Sequence, residues 1–337
     1  MQSRIRQQRA RSDQRARNAL AVITGMLLAV TATISIAQPH PYPMRPVKLI
    51  LHTTPGGAAD VVARTLAQGM STRLGQPVVV ENRPGAGGAV GMGMVAKAAP
   101  DGYTIGMITN AFATMAQLRP NLPFNPATDL VPVAFIGSVP FYFLTTANAP
   151  FTSIESMLAF ARQHPGKVSF ASAGIGTISH LLPAALQKER GVELNHIPYS
   201  GAAPALNSLL GGTVDVYIDP VMTSTEHIKS GRLRALAVTS STRSKTLPAV
   251  PTLAEAGVPI RAVVWFGIMV PAGVPQEIVD RLNGEINATL QRDDIRALFG
   301  RMEIEIETGP PARFSAFANA EMQLWGKIVR DNGIKGD

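Results

Sequence analysis

The run Leu51-His52-Thr53-Thr54-Pro55-Gly56-Gly57-Ala58-Ala59-Asp60 carries the residues best placed to do chemistry in this chain. It follows an apolar stretch, residues 47–51, that predicts a buried strand. It precedes an amphipathic stretch, residues 61–74, that predicts a helix. A strand that ends in a glycine pair and opens a helix aims bare backbone N–H groups at whatever lies above the sheet. Those unpaired donors and the helix dipole both favour an anion. Gly56 and Gly57 let a ligand approach the backbone, Thr53 and Thr54 add hydroxyl donors, and Asp60 stands in the first helical turn, where a carboxylate caps free amides.

Other strand ends add to this anion seat. Thr109-Asn110 closes a third strand and offers an amide. Ser172, Gly174, Gly176 and Thr177 form a second glycine-bearing loop, and Tyr199 and Gly201 open another. His180, one turn into the following helix, either satisfies the interior or faces the ligand. Asp219 ends a strand, where it caps a loop, fixes water or selects a cation. Asn82-Arg83-Pro84-Gly85 and Gly87-Gly88 make a glycine-rich turn without the Lys-Ser/Thr ending of a phosphate loop. Gly91-Met92-Gly93 lies within a helix-like run, so it packs a helix and binds no dinucleotide. The six histidines, at 40, 52, 164, 180, 196 and 227, show no metal-ligand spacing. The sequence thus calls for no cofactor and no metal.

Strand-like and helix-like runs alternate along the chain: strands at 47–51, 77–81 and 103–108, with helices at 61–74 and 88–98. A second series has helices at 153–163, 177–190, 202–210 and 223–230, and strands at 168–172, 194–198, 214–218 and 233–238. Thr152 and Glu155 have capping-box spacing at the head of that series. Alternation of this kind predicts parallel strands with helices on both faces. Residues 262–270 form a long apolar run, and helices at 275–291 and 311–332 have no further strands to serve, so the chain is expected to return to its first lobe. It passes between lobes near 138–148 and near 258–268, which makes a hinge with a cleft. Trp265 lies in the returning crossover and Trp325 in the core face of the last helix. The domain reading is residues 38–142 and 263–337 for lobe 1, and 143–262 for lobe 2.

The first 37 residues read as a secretory signal peptide. Six arginines precede an apolar stretch, 19–37, that ends in Ser35-Ile36-Ala37, which predicts cleavage after Ala37. The leader holds six arginines and one aspartate, so its removal takes the formal charge from +8 to +3. No basic stripe with interleaved aromatics remains, which argues against nucleic acid. The chain has no cysteine, so disulfides and thiol chemistry are excluded. The expected product is an exported, two-lobed monomer.

Several motifs resemble one family in order along the whole mature chain. They are Tyr42-Pro43-Met44-Arg45-Pro46-Val47, Pro55-Gly56-Gly57-Ala58-Ala59-Asp60, Val79-Val80-Glu81-Asn82-Arg83-Pro84-Gly85-Ala86-Gly87-Gly88 and Pro100-Asp101-Gly102-Tyr103-Thr104. Ser172-Ala173-Gly174-Ile175-Gly176-Thr177, Ile197-Pro198-Tyr199-Ser200-Gly201 and Trp325-Gly326-Lys327 follow. Together they resemble the Bug-type extracytoplasmic receptors of tripartite tricarboxylate transporters. The resemblance implies a type II periplasmic-binding-protein fold, an α/β architecture of two lobes, each a mainly parallel sheet flanked by helices. It implies closure on a small organic carboxylate held by loop amides, hydroxyls and ordered water, a membrane transporter as partner, and no enzymatic activity. Members usually carry Pro-Phe where this chain has His52-Thr53, so an apolar wall becomes polar at that end.

The resulting expectation is a receptor that delivers a carboxylate to a transporter. A receptor that passes its liganded shape to a membrane signalling partner would use the same cleft. An exported hydrolase built on Ser172 or Ser179 with His180 is the rival from another class, and neighbouring Ser179 and His180 cannot face each other on one helix.

Overall fold

The computed structural model describes residues 42–119 and 121–335, so the proposed leader and the cleavage site after Ala37 lie outside the described residues. Strand β1 (Val47–Leu51) is an aliphatic run in which Lys48 alone reaches solvent. That pattern suits a strand covered on both faces. It pairs in parallel with β2 (Val78–Asn82) and β3 (Thr104–Thr109). Helix α1 (Ala58–Leu74) covers this trio and ends at Gly75, which adopts the left-handed conformation a helix terminus favours. After β2 comes a 3₁₀ turn, Ala86–Gly88, and helix α2 (Ala89–Ala96). The helix expected from residue 88 starts one residue late because Gly87 and Gly88 both have positive φ. A short helix not read from the sequence, α3 (Phe112–Leu118), follows β3.

The strand β4 (Leu130–Thr146) was likewise not anticipated as one element. Its first part pairs antiparallel with β9 (Val263–Pro271), from Leu130 opposite Pro271 to Pro140 opposite Val263. Its second part, from Phe141, pairs antiparallel with β7 (Val216–Pro220), and from Tyr142 with β8 (Leu233–Val238). Parallel strands β5 (Ser169–Ser172) and β6 (Asn195–Pro198) extend the sheet beyond β7. The strand order is β2-β1-β3-β9-β4-β7-β5-β6. Each lobe therefore holds a parallel trio, and the shared strands join the trios through antiparallel ladders. β10 (Glu305–Ile306) adds to β4 opposite Gly137, where a Cβ would sit 2.5 Å from the Glu305 carbonyl oxygen. Beside the change of partner at Phe141, the buried Thr239 hydroxyl donates to the Ala262 carbonyl (2.6 Å) and accepts the Phe141 N–H (2.8 Å).

Helices α4 (Ile154–Gln163), α5 (Ile178–Arg190), α6 (Ala202–Leu210) and α7 (Val221–Lys229) flank the second trio. The cap of α4 differs from the expected Thr152–Glu155 pair. Ser153 is the N-cap and takes the Ser156 N–H at 3.1 Å, while Ser156 returns the favour to the Ser153 N–H at 3.0 Å. Both hydroxyls reach back to the chain, which a glutamate at 155 cannot do from its place in the turn. Helices α8 (Gln276–Leu290), α9 (Asp293–Arg301) and α10 (Pro311–Asp331) complete the described chain. α8 packs on α1 and β4, with Glu285 paired to Arg73 at 2.6 Å and Asn283 donating to the Val133 carbonyl at 2.8 Å. α10 packs on α3 and β4.

Glu321 fixes α10 to the crossing strand. Its Oε2 accepts both indole N–H groups, from Trp265 on β9 and from Trp325 one turn along α10, each at 3.0 Å. Burial pushes its carboxyl above the ordinary glutamate value against those two bonds. Removing the acceptor strands two buried donors at once. Glu321→Ala is expected to lose about 3 kcal/mol of unfolding free energy, measured by urea titration, and Glu321→Gln, which keeps an acceptor oxygen, to lose clearly less.

Candidate ligand-binding cleft

The carboxyl ends of the parallel strands from the two lobes face a common cleft of about 450 Å³. On the first lobe the loop after β1 supplies Thr53, Thr54, Gly57, Ala58 and Ala59, and the end of β3 supplies Thr109 and Asn110. On the second lobe Ala173 comes from the loop after β5, Thr177, Ile178 and Ser179 from the start of α5, and Ser200 and Ala202 from the start of α6. Phe141, Tyr217, Ile218, Val264 and Phe266 form an apolar floor from the shared strands and β7. Pro84, Gly85, Gly87 and Gly88 close one side.

Gly57 is the N-cap of α1 in extended backbone with no side-chain cap, so the first-turn amides of that helix have no side chain to satisfy them. Thr177 stands in the same position for α5 and Gly201 for α6, again without a side-chain cap. The Thr53 hydroxyl is buried in the wall without a hydrogen-bond partner. No Lys, Arg, Asp or Glu lines this cleft among the described residues. Helix ends and hydroxyls set against aromatic rings suit a small anion with an apolar body.

Several glycine amides expected at the seat are instead taken by nearby side chains. The Gly56 N–H donates to Asp60 Oδ2 at 3.1 Å. Asp60 also receives Arg64 at 2.9 and 3.0 Å and the Asn82 amide at 2.9 Å, and these bonds, Arg64 first, bring its carboxyl down to about 2. Asn82 donates as well to the Thr53 carbonyl (3.1 Å), so Asp60 and Asn82 clasp the loop and face away from the cleft. On the second lobe Ala173 N–H goes to Ser179 (2.9 Å), Gly174 N–H to Ser172 (3.3 Å) and Gly176 N–H to His180 Nδ1 (3.2 Å). Ser172 is fully buried and bonds His196 Nε2 at 2.7 Å, and His196 stacks on His180 with centroids 4.1 Å apart. None of Ser172, Gly174, Gly176 and His180 lines this cleft, and their hydrogen bonds to neighbouring groups make them supports behind its wall. The same holds for Tyr199, whose hydroxyl meets Ser208, while Gly201 caps α6 from outside the wall.

Asp219 is also behind the wall. It is buried with Oδ2 taking the Thr223 hydroxyl and Oδ1 without a partner, and burial lifts its carboxyl to about 7. The structure places Thr53, Thr54, Gly57, Asn110 and Thr177 together on the cleft surface. Sequence reading missed the ring floor of Phe141, Tyr217 and Phe266, whose only signal is their position near strand ends. His52, expected to make one wall polar, lines the cleft and is buried with Nε2 3.2 Å from Thr109 Oγ1. Gly88 makes room for its ring, since a Cβ there would lie 2.8 Å from His52 Nδ1. Burial lowers His52 to about 4, so it stands neutral at pH 7. No group of three His, Cys, Asp or Glu side chains suited to a metal occurs among the described residues.

Residues 62–334 match the model of the tripartite tricarboxylate transporter family receptor. The chain is 39% identical over 320 residues to protein BugT of Bordetella pertussis, covering 94% of this chain and 98% of that protein. Among solved structures, Rpa4515 of R. palustris with adipate superposes with a TM-score of 0.80 at 34% identity, over 88% of this chain and all of that one. MatC from Rhodopseudomonas palustris with bound malate superposes at 0.77 and 29% identity, over 86% of this chain and 100% of that one.

The buried ionisable groups set opposite pH dependences. His52 and His180 each stand at about 4, below the ordinary 6.5, because burial disfavours the cation, helped at His180 by His196. Their neutral forms support the fold fully above pH 6.5, and that support is lost as pH falls towards 4. Asp219 is raised, so its cost is present above pH 7 and fades as pH falls towards 3.8. Thermal melts should show His180→Gln sparing part of the acid loss. Asp219→Asn should melt above the parent protein at pH 8, with the difference vanishing near pH 4.

Proposed function

The chain belongs to the tripartite tricarboxylate transporter receptor family, and from that premise we propose that it is a periplasmic receptor whose cleft closes on a small organic carboxylate and presents it to a membrane transporter. The observation that carries the reading is the facing of uncapped helix starts, those of α1 and α5, across a cleft with a neutral wall. A carboxylate there takes N–H and O–H donors and meets no competing negative charge. The solved relatives with adipate and malate support the same ligand class. The ligand contacts we propose are Thr53, Thr54, Gly57, Asn110 and Thr177, with Ser179 and Ser200 added. Residues 38–142 with 263–337 and residues 143–262 act as the two lobes, and closure bends the chain where β4 changes partners. Residues 1–37 are the export signal, cut after Ala37.

This reading assigns no catalysis. Ser172 does not line the cleft, and its histidine partner is His196 from the neighbouring strand, so a bound ester would not reach it.

A thermal-shift screen of mono-, di- and tricarboxylates should raise the melting point with at least one acid. At a hundredfold excess over Kd the stabilisation is about 2.7 kcal/mol. No shift with any acid, together with turnover of an ester or amide, would reject the reading. Thr53→Val replaces an unpartnered hydroxyl by a methyl of equal size. The unliganded protein should keep or gain stability, while affinity for the best acid falls about tenfold, the loss of one hydrogen bond to a charged group.

A further inference from the structure

Phe141 lines the main cleft, and its neighbour Pro140 lines a separate cavity of about 210 Å³. Successive residues of a strand face opposite sides, so this cavity lies behind the joint, on the side of β4 away from the ligand site. Two segments border it. One is the loop after β8, residues 240–246, and the other is the turn between α9 and β10, at Gly300, Glu303 and Ile304. β8 pairs with the second part of β4, and β10 with the first part at Gly137 and Ser138, so the two segments belong to different lobes.

Ser244 joins these segments. Its hydroxyl oxygen accepts the Tyr142 O–H at 2.9 Å and the N–H groups of Thr246 and Leu247 at 3.1 and 3.2 Å. With its accepting side filled, its single proton goes to Glu303 Oε2 at 2.8 Å. Tyr142 comes from β4 itself and is fully buried, so strand, loop and turn meet at one hydroxyl. Glu303 follows Met302, the C-cap of α9, with φ +54, in a place where a helix end ordinarily puts glycine. Among the described residues Ala86 alone shares a positive φ without being glycine. Strain of this kind persists where surrounding contacts hold a working group in place.

The lobes also touch in front of the joint. The Thr114 hydroxyl lies 3.4 Å from the Gly176 carbonyl oxygen, and a Cβ on Gly176 would stand 2.0 Å from Leu118 Cδ1. The structure therefore shows the lobes drawn together, with the tie behind the joint made in the same arrangement. Rotation of one lobe about the joint moves residues 240–246 against the α9–β10 turn, and a hydrogen bond does not survive past about 3.5 Å. The cavity beside the tie leaves part of this contact unpacked, which throws weight on the hydrogen bond.

We infer that Ser244 and Glu303 are positioning residues that act on binding from outside the cleft: their hydrogen bond favours the closed lobes and so raises affinity for a ligand it never touches. The inference rests on the closing-cleft reading above, whichever acid the cleft takes. A ligand that binds closed lobes gains apparent affinity in proportion to the fraction closed.

The chain has no cysteine, so nitroxide labels at Gln68→Cys on α1 and Ala159→Cys on α4, both exposed, report the spacing of the lobes. Without ligand, distances from pulsed electron paramagnetic resonance should show Glu303→Gly and Ser244→Ala each lowering the closed-to-open ratio about tenfold, the loss of one hydrogen bond to a charged group. Glu303→Gln, which keeps an acceptor oxygen, should lower it clearly less. Titration calorimetry with adipate and with malate should show the tighter acid weakening by the same factor as the closed fraction. Unchanged distances in Glu303→Gly and Ser244→Ala overturn the inference, and so does a closed fraction that falls with no loss of affinity. Binding of neither acid by the parent protein counts against the carboxylate reading, and the distances alone then decide the tie. Ser244→Ala leaves the Tyr142 O–H without its partner. If that variant does not fold, Glu303→Gly, which relieves the left-handed turn, decides in its place.

Discussion

The ladder between β4 and β9 is the constraint on which the molecule depends. Among the described strands, neither parallel trio pairs with the other except through these two, and β4 carries both ladders on one continuous backbone. The strand changes partners between Pro140 and Phe141, where proline lacks a ladder donor and the Thr239 hydroxyl stands in for strand pairing. The cleft lies beside that change. Much of its apolar floor, Phe141, Val264 and Phe266, is made from the same two strands that join the lobes. Binding surface and joint are thus one piece of backbone, and a guest resting on that floor touches the joint directly.

The electrostatics of the cleft follow from what its loops keep for themselves. Asp60, Ser172, Ser179 and His180 consume the amides of Gly56, Gly174, Ala173 and Gly176. These bonds hold loops rich in glycine in one shape, which such loops would not hold unaided. What is left for a guest is the start of each helix, where donors cannot be satisfied within the helix itself. His52 takes part as a neutral wedge between the first loop, Gly88 and Thr109, contributing shape with no cation.

Local chemistry made much of this legible in the sequence. The strand at 47–51, the helix at 202–210 and the strand at 233–238 have the bounds that their apolar runs and flanking turns suggest. Thr53, Thr54, Gly57, Asn110 and Thr177 were legible because strand-to-helix loops must lie at one edge of a parallel sheet. Leu130–Thr146 was hidden because it is buried on both faces, so it lacks alternation, and because Pro132, Gly137 and Pro140 read as breaks. The bulges beside Pro132 and Gly137 are how the ladder accommodates them. The ring floor was hidden for a related reason: the direction of Phe141 or Tyr217 depends on register across β4. The pairing of His196 with Ser172 and His180 needs β5 and β6 side by side, which no spacing within either strand reveals.

The pair of hydrogen bonds accepted by Glu321 has an optical consequence. The chain contains two tryptophans, and both donate to that one carboxylate, outside the cleft walls. Ultraviolet emission from this protein therefore reports whether the last helix stays docked on the crossing strand. It watches the back of the joint, so a spectral change on adding a solute would signal movement of the frame and not contact between an indole and the solute.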